Sequence, residues 1–133
     1  VLWQRNVDAY RPLVARLDED PFAGPWAAAA RIAFHAGLDA LEGRTTDAIA
    51  GYRDAIGRLT DDGSVVDAVR ATTDAVQLLG PRPEFEAQIQ QAQTAIEELR
   101  LKPFGERLDE AIAQNEPTGS NRATTTERAG SPA

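Results

Sequence analysis

The chain has 133 residues, 42% of them hydrophobic and 26% charged, with 21 acidic against 14 basic side chains and a formal net charge of -7. That length supports one domain with a modest core, and the negative field repels nucleic-acid phosphates, so no nucleic-acid partner is expected. The chain contains no cysteine, which excludes a disulfide framework, a thiolate metal site and a thiol nucleophile and points to the cytoplasm.

No stretch reaches the about 18 apolar residues of a membrane span, and the start "VLWQRN" lacks the segments of a secretory signal, so no membrane partner is expected. Valine at position 1 in place of an initiator methionine points to a piece of a longer polypeptide. On this reading residues 1–24 form an N-terminal helix or linker from an upstream domain, 25–114 a helical domain, and 115–133 a disordered tail.

In the first segment Val7, Tyr10, Leu13, Val14 and Leu17 recur at intervals of three and four and define one helix face, with Pro12 inside it. The cluster "DEDPFAGP" breaks the pattern. A second helix is predicted from Pro25 to Glu42, closed by Gly43. Its polar residues are confined to a stripe of Arg31, His35, Asp39 and Glu42, so it is expected to be central and covered on most of its circumference. The third helix, from about Thr46 to Leu59, turns Ala48, Ile49, Tyr52, Ala55, Ile56 and Leu59 inward, with Thr45 or Thr46 as its cap and Asp47 suited to the positive end of its dipole.

Ser64 then reads as the cap of a fourth helix, with Asp67 three residues on as a weak capping box. Its inward stripe is Val65, Val69, Thr72, Val76 and Leu79. After "GPRP" a fifth helix, about Glu84 to Leu99, keeps Phe85, Ile89, Ala92, Ile96 and Leu99 in register. A sixth starts near Pro103, well placed at a helix start, and turns Phe104, Leu108, Ala111 and Ile112 inward. The remainder, "NEPTGSNRATTTERAGSPA", has no large apolar residue and reads as disordered.

Helices joined by short connections, with no strand-like alternation, imply an all-α fold of antiparallel helical hairpins. Gly43, Ala48, Tyr52 and Ala55 stand at offsets 0, 5, 9 and 12, similar to the glycine turn, small, aromatic and small residues of a tetratricopeptide (TPR) repeat. The expected architecture is therefore a TPR-like right-handed stack of about five to six helices, with a plain irregular helical bundle as the alternative. In it Gly43 makes the tight turn, Ala48 and Ala55 let the two helices cross closely, and Tyr52 fills the wedge against the next repeat. Ala36 takes a small position of the first helix of that repeat, and Ile32 replaces its leading aromatic. A second unit, 64–99, is looser: Gly80 ends its first helix, Ala87 takes the small position and Gln91 the aromatic one.

The segments "GLDALEGRTTDAIAGYRDAIGRLTDDG", "DAVRATTDAVQLLGP" and "LKPFGERLDEAIA" resemble the degenerate TPR-like C-terminal region of large bacterial ATP-dependent regulators, over residues 25–114. In that family the region follows a P-loop ATPase domain, often with a class III adenylate/guanylate cyclase domain. The resemblance implies a sensory or scaffolding arm that couples partner binding to an upstream enzyme.

No phosphate-binding "GxxxxGK", zinc-protease "HExxH" or serine with a base partner occurs. His35, flanked by Arg31 and Asp39, is a candidate base or, with Asp39, half of a metal site; as an i, i+4 polar ladder it is an ordinary solvated stripe. The chain is read as non-enzymatic, with no metal and no cofactor. Candidate partner-binding residues are Asp67, Asp74, Arg31 and His35. In the repeat alignment the groove positions are Ala30, Ala33, Gly37, Ala40, Ser64, Asp67, Ala71 and Asp74, small or acidic, which suits a basic or apolar segment. The partner is a protein or peptide, an upstream domain of the same chain or a second copy. The leading function is a regulatory interaction domain of a larger ATP-dependent signalling protein; the alternative is a standalone adaptor or dimerisation protein.

Overall fold

The computed structural model describes residues 4–19 and 24–115. It has six α-helices: α1 (Val7–Glu19), α2 (Pro25–Leu41), α3 (Thr45–Asp61), α4 (Val65–Leu79), α5 (Glu86–Leu99) and α6 (Lys102–Gln114), with a 3-10 turn at Pro83–Phe85 leading into α5. No strand occurs among the described residues. The expected tail beyond residue 115 and the break at 20–23 lie outside the described residues, as do Leu2 and Trp3, which with Trp26 are candidates in the sequence for exposed apolar surface at the N-terminal edge; Trp26 is 44% exposed.

The α2 to α3 and α3 to α4 connections are built alike. Gly43 takes a left-handed φ of 86° and Gly63 one of 82°, a conformation that costs a side-chain-bearing residue energy. The Gly43 N–H donates to Ala40 O at 3.2 Å and Arg44 N–H to Asp39 O at 2.8 Å; Gly63 and Ser64 repeat this on Thr60 and Leu59 at 3.1 and 2.8 Å. Each helix end is thus satisfied by the next two amides, and the chain reverses at once. This geometry replaces the expected side-chain caps. The N-cap positions fall on Arg44 and Ser64, at ψ 72° and 65°, short of the extended backbone from which a hydroxyl reaches back to a free amide. The Ser64 hydroxyl instead donates to Asp62 Oδ2 at 3.2 Å, and Asp67 makes its contacts elsewhere.

The second correction concerns the central element. α2 buries only Ala27, Ala29, Ala36 and Gly37. α4 buries eight of its 15 residues, on nearly every side, because it packs against α2, α3, α5 and α6, whereas α2 meets α1, α3 and α4. One face of α4, through Ala68, Ala71, Ala75 and Leu78, joins a core with Ala29, Ala36, Tyr52, Ile56, Leu59 and Phe85. The opposite face, Val69 and Val76, joins Ala92, Leu108 and Ala111. Its two buried threonines are satisfied within the helix, Thr72 Oγ1 donating to Ala68 O at 2.8 Å and Thr73 Oγ1 to Val69 O at 3.0 Å. The C-terminal carbonyls of α4 accept from arginines, Arg5 on Gln77 O and Leu78 O at 3.2 Å and Arg82 on Leu79 O at 2.7 Å, which opposes the negative end of the dipole.

Two residues expected to face inward do not. Leu13 is 46% and Leu99 52% exposed: α1 packs chiefly on α2, and Leu99 lines an open cleft between α5 and the helices α3 and α4. α2 and α3 approach each other closely: a Cβ added at Gly51 would lie 2.9 Å from Ala36 Cβ, while one at Gly57 on the same helix would meet nothing.

Two predictions follow from this packing. Gly57→Ala removes an exposed helix glycine and is expected to stabilise by up to about 1 kcal/mol. Gly51→Ala has the same propensity gain but forces α2 and α3 apart, an overpacking cost of about 1–3 kcal/mol, so urea denaturation is expected to show it level with or less stable than the wild type and clearly below Gly57→Ala.

The other prediction concerns pH. Glu42 receives Arg11 from α1 on one carboxylate oxygen and Arg44 on the other. These hydrogen bonds, that of Arg11 foremost, hold its carboxyl below the usual range. A carboxyl whose folded pKa is depressed adds stability above its ordinary value of about 4.3 and loses it as pH falls through the folded one. Amide exchange in α1 is expected to accelerate, relative to α3, as the solution is acidified below about pH 4.3, and Glu42→Gln is expected to flatten that dependence.

Candidate functional site

Helical spacing puts Trp26, Ala30, Ala33 and Phe34 on one face of α2, and Asp67, Arg70, Ala71 and Asp74 on one face of α4. Both helices pack on α3, so the two faces look at each other across a groove of about 230 Å³, with Tyr10 of α1 at one wall and Tyr52 and Leu59 of α3 also lining it. The alanines leave the space; the aromatics and acids give it chemistry.

Trp26 Nε1–H donates to Asp67 Oδ2 at 2.9 Å, tying the start of α2 to the start of α4. The other Asp67 oxygen accepts from Arg70 at 3.2 Å, and the Arg70 guanidinium lies 5.7 Å from the centre of the Phe104 ring. Tyr10 stacks on Phe34 with ring centres 6.2 Å apart and 29° between planes, and its hydroxyl donates to the Phe34 carbonyl at 3.1 Å. Trp26 and Phe34 remain 44% and 41% exposed, which leaves aromatic surface around the opening.

Tyr52 is the exception to this well-satisfied network. Its side chain is 1% exposed, and its hydroxyl has no hydrogen-bond partner. Burial, and after it the charge of Asp74, pushes both the Tyr52 and Tyr10 phenols well above their ordinary range, so both stay protonated. Two neutral phenols therefore share one small space with Asp67, Asp74 and Arg70.

Of the groove positions read from the repeat alignment, Ala30, Ala33, Asp67, Ala71 and Asp74 line this space, while Gly37, Ala40 and Ser64 do not. Gly43 sits at the turn with positive φ, and Ala48, Tyr52 and Ala55 are buried. His35 and Arg31 lie away from the groove. His35 Nε2 contacts both oxygens of Asp18 in α1 at 2.9 and 2.8 Å, and Arg31 Nε reaches Leu17 O at 3.5 Å. The expected His35 and Asp39 pair does not form, because Asp39 is taken by Arg44 at 2.6 and 3.0 Å. Arg31, His35 and Glu42 of the stripe thus seat α1, while Asp39 holds the turn that follows α2. Among the described residues no group of three or more His, Cys, Asp or Glu side chains is placed to hold a metal ion, and no helix is long and apolar enough to cross a membrane.

Sequence reasoning offered Trp26 as exposed apolar surface but missed the aromatic wall it forms with Phe34 and Tyr10. Trp26 and Phe34 share the period of Ala30 and Ala33, a signal present in the sequence, but Tyr10 arrives from a helix whose docking no local pattern encodes. A second cleft, of about 620 Å³, separates α3 and α4 from α5; glutamines and threonines dominate its polar side.

Removing the Tyr52 hydroxyl tests whether it is a cost to the fold. An unpaired buried polar group costs about 1–3 kcal/mol, so Tyr52→Phe is expected to raise stability by about 1 kcal/mol in urea denaturation, against the usual loss on core substitution.

No family model, no curated protein and no solved structure matches the chain.

Proposed function

We propose that this chain is a non-catalytic helical-repeat interaction domain, a TPR-like stack of hairpins, that acts as the regulatory arm of a larger ATP-dependent signalling protein of the cyclase or transcriptional-regulator type. The observation that carries the interaction role is the groove between α2 and α4, where exposed Trp26 and Phe34 rim a space lined by Asp67 and Asp74. Concave surfaces between stacked hairpins are the working faces of helical repeats, and exposed aromatic patches mark binding sites. The hairpin reading is supported by the matched glycine turns at Gly43 and Gly63 and by the packing of α2 on α4 and of α4 on α6. The link to an ATP-dependent parent rests on the resemblance of residues 25–114 to the C-terminal arms of such regulators. The partner is a protein segment or another domain of the same polypeptide.

The test is nucleotide turnover by the parent polypeptide, with ATP and GTP assayed for hydrolysis and cyclisation, compared with the same protein lacking this domain. A folded truncation whose rate changes about fivefold or more, the lower end of ordinary allosteric coupling, supports the regulatory arm. An unchanged rate, or a parent without a nucleotide-handling domain, overturns it in favour of an adaptor.

A further inference from the structure

The guest that the groove admits can be narrowed to one kind of side chain. We infer that the space between α2 and α4 is a pocket for a single neutral ring with a polar tip, the tyrosine side chain of a partner segment, its hydroxyl pairing with that of Tyr52 and its ring set among Tyr10, Trp26 and Phe34. This inference rests on the interaction role proposed above.

Size comes first. At about 230 Å³ the space falls below the roughly 300–1,000 Å³ of clefts that enclose a whole small molecule. An apolar cavity of about 150 Å³ takes up one benzene ring, so this one holds a single ring and its substituent. The alanines Ala30, Ala33 and Ala71 leave the room, and the rings of Tyr10, Trp26 and Phe34 border it. Aromatic neighbours favour an aromatic guest, because ring faces and edges attract one another in offset and edge-to-face pairs.

Charge argues against an ionic guest. Asp67, Arg70 and Asp74 line the groove, and each is already engaged within the fold. Asp67 accepts from Trp26 at 2.9 Å and from Arg70 at 3.2 Å, Arg70 also lies 5.7 Å from the centre of the Phe104 ring, and Asp74 has a partner of its own. A cation or anion entering here has to displace one of these contacts or lie uncompensated among alanines and rings, and a buried charge without a partner is costly. A neutral guest leaves them all intact.

The Tyr52 hydroxyl is the independent sign of a ligand, and it decides that the guest carries a polar atom. Its side chain is 1% exposed, it lines the groove, and the hydroxyl has no hydrogen-bond partner. Buried polar groups are almost always paired, and a phenylalanine fills the same volume without the penalty. The phenol is neutral, since burial holds its pKa well above the ordinary range, and a neutral phenol both donates and accepts. Tyrosine matches it: one ring joined to a neutral group that donates and accepts in turn. Phenylalanine has no such group, the tryptophan N–H only donates, and histidine is charged over part of the physiological range. Tyrosine is also one of the residues that most often anchor protein interfaces.

The experiment titrates the full chain, labelled with 15N, with Nα-acetyl-tyrosine amide, Nα-acetyl-phenylalanine amide and Nα-acetyl-lysine amide, following the Trp26 indole N–H and the amides of Phe34, Tyr52 and Ala71 by NMR. The expected result is saturable shifts at these positions, with tyrosine amide about three- to tenfold tighter than phenylalanine amide, as one net neutral hydrogen bond gives, and lysine amide weaker than tyrosine amide. In Tyr52→Phe, whose folding is checked by its urea curve, tyrosine and phenylalanine amides are expected to bind alike. Equal binding of the two by the wild type, or a tyrosine preference that survives Tyr52→Phe, overturns the pairing with Tyr52 and leaves an apolar docking groove, so the interaction role survives. Lysine amide binding as tightly as tyrosine amide, or more tightly, overturns the neutral guest. Absence of shifts at the groove with all three probes overturns the pocket itself, and the interaction role is then decided separately by the turnover comparison of the parent protein.

Discussion

The crossing of α2 over α3 sets the rest of the structure. Gly51 stands against Ala36 so closely that a methyl group has no room, and the adjacent residue, Tyr52, is thereby carried beneath α2 into the core shared with α4. Small residues let backbones approach, and close backbones exclude water over a long contact. Because the hairpin is tight, its two helices present a stable platform. α4 then lies beside α2 as well as against α3, and the faces that form the groove are set opposite each other without a dedicated loop.

α4 distributes that order to the second half of the chain. One side of it belongs to the core of the first hairpin and the other to the core with α5 and α6, so the two halves share a helix rather than meet at an interface. Its interior polar groups are satisfied locally by threonine back-bonds, which is how a helix of mixed composition tolerates near-complete enclosure. α5 contributes less, with Ala92 its one buried residue, and the cleft beside it is the consequence. Gln91, which the repeat alignment puts at an aromatic position, lines that cleft.

The polar contacts divide into those that assemble the fold and those that equip the groove. Arg11, Glu42 and Arg44, and likewise His35 with Asp18, fasten α1 to α2 and to the turn that follows it. All are exposed to some degree and add little stability individually, but their positions fix where α1 lies and hence where Tyr10 meets Phe34. In the groove the balance differs: Asp67, Arg70 and Trp26 are mutually satisfied, while a deeply buried hydroxyl is not.

Local features of this protein were legible because their causes are local. Helical periodicity located six helices, since an apolar stripe at intervals of three and four can be buried only as a helix, and Gly43 marked a turn because left-handed backbone favours glycine. The small and acidic character of the α2 and α4 faces was equally readable from spacing, as Ala30, Ala33, Asp67, Ala71 and Asp74 attest. What the sequence could not order was who covers whom. Alanine content made α2 look central, but enclosure depends on the number of neighbours, and α4 has more of them. The capping role of Ser64 failed because the preceding turn dictates its backbone angles. His35 found Asp18, 17 residues away in sequence, through the docking of α1, and the same docking brought Tyr10 to Phe34. Period and composition are properties of one helix and were fixed by the chain itself; partners, enclosure and the aromatic wall of the groove are properties of helices in contact, and only the tertiary packing decided them.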